Sequence, residues 1–261
     1  MGRWLGDISH TVQRFWSLLN GAVLFYTRIP LPRKWPVELG RIALVAPGIG
    51  LGLGGLLAGL DGLLSLGLPL LLRGVLVILV GLWLTGGLHL DGAMDTADGL
   101  GVQDPQRRLE VMADSRSGAF GVMVAIAILL LKTTALGTTL HYRWFALMSA
   151  TAWGRWGQQW AIGSYAYLKP SGKGAFHKRA LPTRWQTLPW GLALAGLTAL
   201  AGRLGMIPWS HGVAAVAVGI ASSWLVAGWL NHQLGGHTGD TYGAVVEWVE
   251  VAVLVGLASV S

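Results

Sequence analysis

The chain has 261 residues, of which 53% are hydrophobic and only 12% are charged, with a formal net charge of +7. A charged share so far below the roughly 25% of soluble domains indicates an integral membrane protein. We therefore expect one polytopic, all-α membrane bundle over residues 1–261 rather than separable soluble domains. The basic residues lie in short loops between apolar segments, which favours membrane topology over nucleic-acid binding. The absence of cysteine excludes disulfides and thiolate metal sites.

The first element in chain order is a helix with one apolar face. Trp4, Ile8, Val12 and Phe15 recur at helical spacing with polar residues between them. This pattern predicts an N-terminal amphipathic helix that lies in the membrane interface. The apolar stretch that follows, at 15–27, is short for a span, because about 20 residues are needed. We expect it to be re-entrant or tilted, and a proline-rich basic loop follows it.

Seven further apolar segments are candidate membrane spans, and six to seven spans are expected in all. They lie at about 42–60, 70–89, 118–140, 144–166, 187–205, 211–230 and 243–260. If all seven cross, one side holds the connections 28–41, 90–117, 167–186 and 231–242. That side carries 12 Lys and Arg residues, against 3 on the other. The positive-inside rule then places these loops in the cytoplasm, with the chain in the cell inner (plasma) membrane.

Three aspartates directly follow the second of these segments. Asp91, Asp95 and Asp98 are spaced so that a helix places all three carboxylates on one face. Like charges this close repel unless a cation lies among them, and hard oxygen ligands favour Mg²⁺. The pattern predicts a Mg²⁺ site for phosphate chemistry at the membrane edge. The alternative is a solvated cap of the span, and His89 beside it is either a ligand or an interface histidine.

A second polar stretch, Asp114-Ser115-Arg116, stands just before a span. One interpretation is a helix cap at a serine together with an Asp–Arg ion pair. The other adds Asp114 to the metal site and gives Arg116 a substrate phosphate. The segment alone leaves both interpretations open.

A third stretch, Thr238-Gly239-Asp240, opens the last span after a pair of glycines. Backbone N–H groups at such a helix start bind anions. Asp240 is either a further metal carboxylate or the cap of the span. Glu247 and Glu250 follow in the first turns, where acidic residues favour the helix dipole.

Two cations, Lys132 and Arg155, interrupt apolar spans. A charge inside a span is costly and marks a pathway, a partner or a site. We therefore favour a functional role for both. Arg155 is expected either to pair with Glu247 or to contact a substrate phosphate.

Together these motifs resemble, nearly from end to end, the cobalamin synthase family of membrane enzymes, also called adenosylcobinamide-GDP ribazoletransferases. The matching segments are 25–30, 47–50, 86–92, 95–99, 114–116, 118–121, Lys132, 154–156, 238–240, 243–244 and Glu247. The aspartate motif and the Thr-Gly-Asp motif are specific in combination. One departure is Leu90, where many members carry Glu before the first aspartate.

The resemblance implies the last assembly stage of vitamin B12. Adenosylcobinamide-GDP and α-ribazole, or its 5′-phosphate, are joined through a phosphodiester, and GMP is released. The product is adenosylcobalamin or its 5′-phosphate, and the family is Mg²⁺-dependent. Besides the substrates and the lipid bilayer, the partners to be considered are further copies of this chain or other enzymes of the B12 pathway.

The residues and the resemblance together give a set of expected roles. The catalytic candidates are Asp91, Asp95, Asp98, Arg116, Lys132, Arg155 and Asp240. The metal candidates are Asp91, Asp95, Asp98 and Asp114. The substrate-binding candidates are Arg28, His89, Ser115, Thr238, Gly239 and Glu247.

The alternatives to this function are a CDP-alcohol-type phosphotransferase and a cation-coupled membrane transporter. A CDP-alcohol phosphotransferase needs Asp-Gly-x-x-Ala-Arg, but Asp91-Gly92 is followed by Ala-Met-Asp-Thr, without that arginine. A cation-coupled transporter would use Lys132, Arg155 and Glu247 to line a path. The crowding of the motifs onto one face and the lack of an inverted repeat argue against transport.

Overall fold

The computed structural model describes residues 2–169 and 174–260, with side chains from residue 11 onward. Within these ranges the chain forms α-helices and short 3-10 turns, without a β-strand, so the predicted all-α class is confirmed. The helices are α1 (Gly2–Tyr26), α2 (Ala46–Leu64), α3 (Leu70–Thr85), α4 (Leu88–Leu100), α5 (Arg108–Val111), α6 (Ala119–Thr138), α7 (Arg143–Ser164), α8 (Ala175–Ala180), α9 (Leu188–Arg203), α10 (Trp209–Leu234) and α11 (Gly239–Ala258).

The N-terminal segment and the apolar stretch after it form one continuous helix, α1. The predicted positions Trp4 and Ile8 lie outside the described side chains. Val12 and Phe15 are 61% and 55% exposed, so the described part of the chain leaves most of this apolar edge uncovered. The C-terminal end of α1 buries Tyr26 in a small core with Ile42. The interfacial placement of α1 stays a prediction.

Four described helices are long and apolar enough to cross a membrane: Ile42–Leu64, Ala119–Thr138, Trp209–Leu234 and Gly239–Ala258. The pair α3 and α4, bent by 88°, is a fifth if it forms one broken span. The chain is therefore a multi-pass membrane protein, but the predicted count of six to seven spans is not confirmed. Two of the predicted spans are not among these helices. The helix α9 has only 16 residues, which is short for a span, and α7 carries the polar residues Arg155, Gln158 and Gln159 in its buried interior.

The helix α7 lies at the centre of the bundle, packed against α2, α10 and α11. Glycines make the α2 contact close: a Cβ at Gly50 would lie 2.4 Å from the Thr151 carbonyl oxygen. The Thr151 hydroxyl donates a hydrogen bond to the Gly50 carbonyl at 2.7 Å. Small residues that let backbones meet, with hydroxyls bridging them, are the usual means of joining helices in lipid. This packing explains how a polar helix is accommodated at the centre.

The sharp turn between α3 and α4 depends on two glycines with positive φ, Gly86 at 64° and Gly87 at 72°. Residues with a Cβ rarely adopt this left-handed conformation. The turn directs α4 across the end of the bundle, where it packs on α6 and α11. The aspartate motif on α4 is thereby placed beside the start of α11.

The opposite end of the bundle is held by a buried ion-pair cluster. Asp61 of α2 accepts from Arg73 of α3 at 2.5 Å and from Arg143 of α7 at 2.6 Å. Arg143 also donates to the carbonyls of Leu136 and Thr139 at the end of α6. One carboxylate thus ties four helices together, far along the bundle from α4.

Candidate functional site

The helices α4 and α11 touch through two glycines, and this contact creates the site. A Cβ at Gly92 would lie 2.6 Å from the Asp240 carbonyl oxygen, and one at Gly243 would lie 2.8 Å from the His89 carbonyl oxygen. Backbones approach this closely only where no side chain intervenes. As a result, Asp91 from α4 and Asp240 from α11 line the same cavity.

The four acidic groups at this contact act on one another. Asp95 is repelled by Asp91, Asp98 and Asp240, and is attracted by Lys169. The carboxylates of Asp98 and Asp240 have hydrogen-bond partners. Within the described residues, no such partner is found for the carboxylate of Asp91 or Asp95. The predicted acidic face therefore exists, and two of its carboxylates are free to bind a ligand.

Asp98 has a structural partner within the fold. Its two carboxylate oxygens accept backbone N–H groups of Gly118 at 2.7 Å and Gly121 at 2.8 Å. These are free donors at the start of α6, where a negative charge also favours the helix dipole. Asp98 thus caps α6 from a different helix. The serine cap considered for this segment is wrong, because α6 starts after Gly118 and Ser115 makes no capping bond.

Asp114 and Arg116 form the ion pair that the sequence suggested. The Arg116 guanidinium donates to both Asp114 oxygens, the shortest bond being 2.6 Å. These hydrogen bonds lower the pKa of Asp114 to about 2. The Arg116 side chain is 87% exposed, and such surface pairs contribute little to stability. Asp114 is therefore engaged by a cation, while Arg116 remains accessible to a phosphate.

The Thr-Gly-Asp motif opens α11 with a reciprocal cap. The Thr238 hydroxyl accepts the Thr241 N–H at 3.3 Å, and the Thr238 N–H donates to the Thr241 hydroxyl at 2.8 Å. Thr238 is therefore the cap of the last span, and Asp240 is not. The Asp240 carboxylate instead accepts from the Thr238 hydroxyl at 3.1 Å and from Lys169 at 3.2 Å. It remains half-buried at the cavity.

Two adjoining hollows share Phe25, Leu88 and Asp91 in their walls. The first, which we call the chamber, measures about 150 Å³. Its polar lining consists of His89, Asp91, Gln158, His177, Asp240 and Tyr242. The second, which we call the cleft, is wider, about 550 Å³, and is lined by Arg28. The predicted residues Arg28, His89, Gly239 and Asp240 are thus brought together around Asp91.

The cations predicted inside the spans have carboxylate partners. Lys132 donates to Glu247 and Glu250, both at 2.6 Å. Arg155 donates to Glu250 at 3.0 Å and to the Thr151 carbonyl at 2.9 Å. This cluster joins α6, α7 and α11 inside the bundle, and its members do not line the chamber or the cleft.

Within the described residues, no group of three or more His, Asp or Glu side chains is arranged to hold a metal ion. The aspartates share a face without forming a closed cage. Mg²⁺ is commonly held by one or two carboxylates together with substrate phosphates and water, rather than by a cage of protein ligands. The free carboxylates of Asp91 and Asp95 fit this open type of site in number and in chemistry.

Over the described residues the fold is that of a polytopic, all-helical membrane protein with an acidic cavity at one end of its bundle. The family model for cobalamin-5-phosphate synthase matches residues 18–258. The chain therefore belongs to the cobalamin-5-phosphate synthase family, which confirms the resemblance seen in its motifs.

Several relatives carry the name adenosylcobinamide-GDP ribazoletransferase. The protein of Trichormus variabilis is 53% identical over 243 residues, covering 91% of this chain and 95% of the relative. That of Synechocystis is 47% identical, covering 93% and 94%. That of Prochlorococcus marinus strain SARG is 37% identical, covering 91% and 93%. No solved structure matches the chain.

Proposed function

We propose that the protein is an adenosylcobinamide-GDP ribazoletransferase, which performs the final assembly step of cobalamin biosynthesis. Family membership over residues 18–258 supports this activity. The observation that carries the mechanism is the meeting of Asp91 and Asp240 at the chamber, beside the arginine-lined cleft. Carboxylates and a cation around a shared space suit the reaction of an alcohol with a pyrophosphate.

In the proposed step, the hydroxyl oxygen of α-ribazole or its 5′-phosphate attacks the phosphorus on the cobinamide side of the pyrophosphate. The bond from that phosphorus to the bridging oxygen breaks, and GMP leaves with this oxygen. Asp240 accepts the hydroxyl proton, because it lines the chamber and both of its hydrogen bonds, from Thr238 and Lys169, fall on one oxygen, Oδ2, which leaves Oδ1 for the substrate. Asp98 is less suited to this role, since its oxygens accept two backbone N–H groups. A carboxylate within hydrogen-bond reach of the hydroxyl is sufficient as a general base.

We propose that the reaction depends on Mg²⁺, which Asp91 and Asp95 would hold. Such an ion would supply positive charge to offset the negative charge of a pyrophosphate substrate. Two carboxylates without hydrogen-bond partners in the described part of the chain are well suited to a divalent cation, since each otherwise repels the other. Asp114 is assigned to Arg116 in this scheme and not to the metal.

Arginines are proposed to hold the phosphate groups. Arg28 lines the cleft next to Asp91. Arg116 can exchange its exposed carboxylate partner for a phosphate, to which a guanidinium binds with two parallel bonds. Lys132 and Arg155 hold the helices beneath the site, because Glu247 and Glu250 neutralise them there. We place the protein in the inner membrane, with the site loops in the cytoplasm.

Product analysis tests this proposal. Purified protein in lipid, given adenosylcobinamide-GDP and α-ribazole, is expected to form cobalamin that chromatography resolves. An Asp240→Asn variant should lose product, because the amide cannot accept the hydroxyl proton. The matched variant Asp104→Asn changes an exposed aspartate that only caps a short turn, and it should retain activity. Absence of cobalamin with folded wild-type protein would contradict the proposal.

A further inference from the structure

The chamber contains an unusual concentration of buried polar atoms without partners. Within the described residues these include His89 Nε2, Gln158 Oε1, His177 Nδ1 and the Tyr242 hydroxyl. All four residues line the chamber. Buried polar groups are hydrogen-bonded in the great majority of cases, so each exception requires an explanation. His89 also lines a cavity beside Lys132 and Glu250, whereas Gln158, His177 and Tyr242 do not. The unpaired groups of these last three residues around one hollow indicate that a polar ligand completes their hydrogen bonds.

The rings that line the chamber are held in place by other aromatic groups. The His177 ring lies 5.2 Å from the Phe25 ring at 81°, an edge-to-face arrangement. The Tyr242 ring stacks on His237 at 5.6 Å and 14°. Aromatic pairs at these separations are favourable. The chamber is therefore a preorganised space with flat apolar walls and a few polar atoms, the usual composition of a small-molecule site.

The charges of the two hollows differ. No Lys or Arg is among the described residues that line the chamber, whereas Arg28 lines the cleft. Burial lowers the pKa of His177 to about 4, so this ring is neutral near neutral pH. Asp240 is paired with Lys169, so among the described residues Asp91 is the carboxylate at the edge of the chamber without a cationic partner. Its negative charge disfavours an anion such as a phosphate in the chamber. It favours a neutral group that both donates and accepts hydrogen bonds.

The size of the chamber fits a group larger than water. A cavity needs about 10–15 Å³ to hold one water molecule, and the chamber measures about 150 Å³. The space therefore accepts a ring system together with its polar substituents. The intact corrinoid is far larger than this space and has to remain outside.

We propose that the chamber binds the neutral heteroaromatic nucleoside part of the alcohol substrate, its base and sugar, and presents the sugar hydroxyl to Asp91 and Asp240. The base lies between the aromatic walls, and Gln158 and Tyr242 bond to polar atoms of the nucleoside. The pyrophosphate of the second substrate then lies in the cleft beside Arg28. This assignment rests on the proposed transferase activity and adds which substrate occupies which hollow.

Two variants test the assignment: Gln158→Leu, which keeps the side-chain size, and Tyr242→Phe, which keeps the ring. Each removes one hydrogen-bonding group, so each should weaken binding by about 2- to 12-fold. Titration calorimetry of the detergent-purified protein measures the Kd of α-ribazole and of adenosylcobinamide-GDP separately. We expect the Kd and the KM of α-ribazole to rise and those of adenosylcobinamide-GDP to stay unchanged. Arg28→Gln should give the reverse pattern.

A matched control is Tyr142→Phe, the same chemical change at the start of α7, about 24 Å along that helix from Gln158. It should alter neither Kd. If Gln158→Leu does not fold, Tyr242→Phe carries the test alone. Unchanged α-ribazole binding in Tyr242→Phe, or weaker binding of adenosylcobinamide-GDP alone, would overturn the chamber assignment. If the wild-type protein still turns over, the transferase activity stands despite that result. Wild-type protein without turnover would overturn both.

Discussion

The contact between α4 and α11 can be tested with a single methyl group. In Gly92→Ala the new Cβ would lie 2.6 Å from the Asp240 carbonyl oxygen, where ordinary contacts start at 3.4 Å. The obstacle is backbone and not a flexible side chain, so the helices have to separate by about 0.8 Å. Overpacking of this kind costs about 1–3 kcal/mol of stability. The separation also moves Asp91 away from Asp240.

Misplacement of reacting groups by about 1 Å can lower a rate by about 100-fold. We therefore expect Gly92→Ala to reduce the rate of GMP release by about two orders of magnitude, with a modest fall in melting temperature. The matched variant is Gly52→Ala in α2, where nothing lies within 4 Å of the new Cβ. In a helix interior, alanine is more favourable than glycine by roughly 0.5–1 kcal/mol, so this variant should be at least as stable as the wild type.

The assay is single-turnover GMP release in lipid, with circular dichroism melting as the stability control. Near-normal turnover in Gly92→Ala would show that the α4–α11 contact does not set the geometry of the site. A comparable loss in Gly52→Ala would show that the effect is a general response of the bundle to added volume. Either result refutes the reasoning.

Further predictions concern the remaining acidic and histidine residues. Asp95→Asn should abolish GMP release with little change in melting temperature. Asp98→Asn should weaken the α6 cap by about 1 kcal/mol, so its melting temperature should fall while its loss of activity is smaller. Asp61→Asn leaves two buried arginines uncompensated and should cost about 3–5 kcal/mol in SDS unfolding titrations, while turnover per folded molecule is kept. Burial lowers the pKa of His177 from 6.5 to about 4, so over this range the unfolded chain binds a proton that the folded chain does not. Stability should therefore fall as pH drops through that window, and melting curves of His177→Gln should show a weaker dependence; an equal slope in both proteins would contradict this.

Local patterns in the sequence predicted the helices and the acidic face of α4. Asp91, Asp95 and Asp98 fall on one side because helical periodicity fixes their directions. The role of Asp98 was beyond prediction, because its partners at Gly118 and Gly121 depend on how α4 packs against α6. Such contacts between distant segments leave no local pattern.

The chamber illustrates the same limit. Gln158 is a polar residue within an otherwise apolar segment, but its neighbours in the chamber come from other helices. His177 lies in the short helix α8 and Tyr242 in α11, and neither stands in a recognisable motif. The charges of Lys132 and Arg155 were detected, whereas their shared partner Glu250 was expected only to favour the helix dipole.

In the proposed mechanism, α-ribazole displaces GMP from adenosylcobinamide-GDP at the chamber that Asp91 and Asp240 line. The most direct measurement is GMP release by the purified protein in lipid, with and without α-ribazole, in Mg²⁺ and in EDTA. We predict release only when α-ribazole and Mg²⁺ are both present, in equal amounts with the cobalamin formed. GMP release without α-ribazole, or full release in EDTA, would contradict the proposed mechanism.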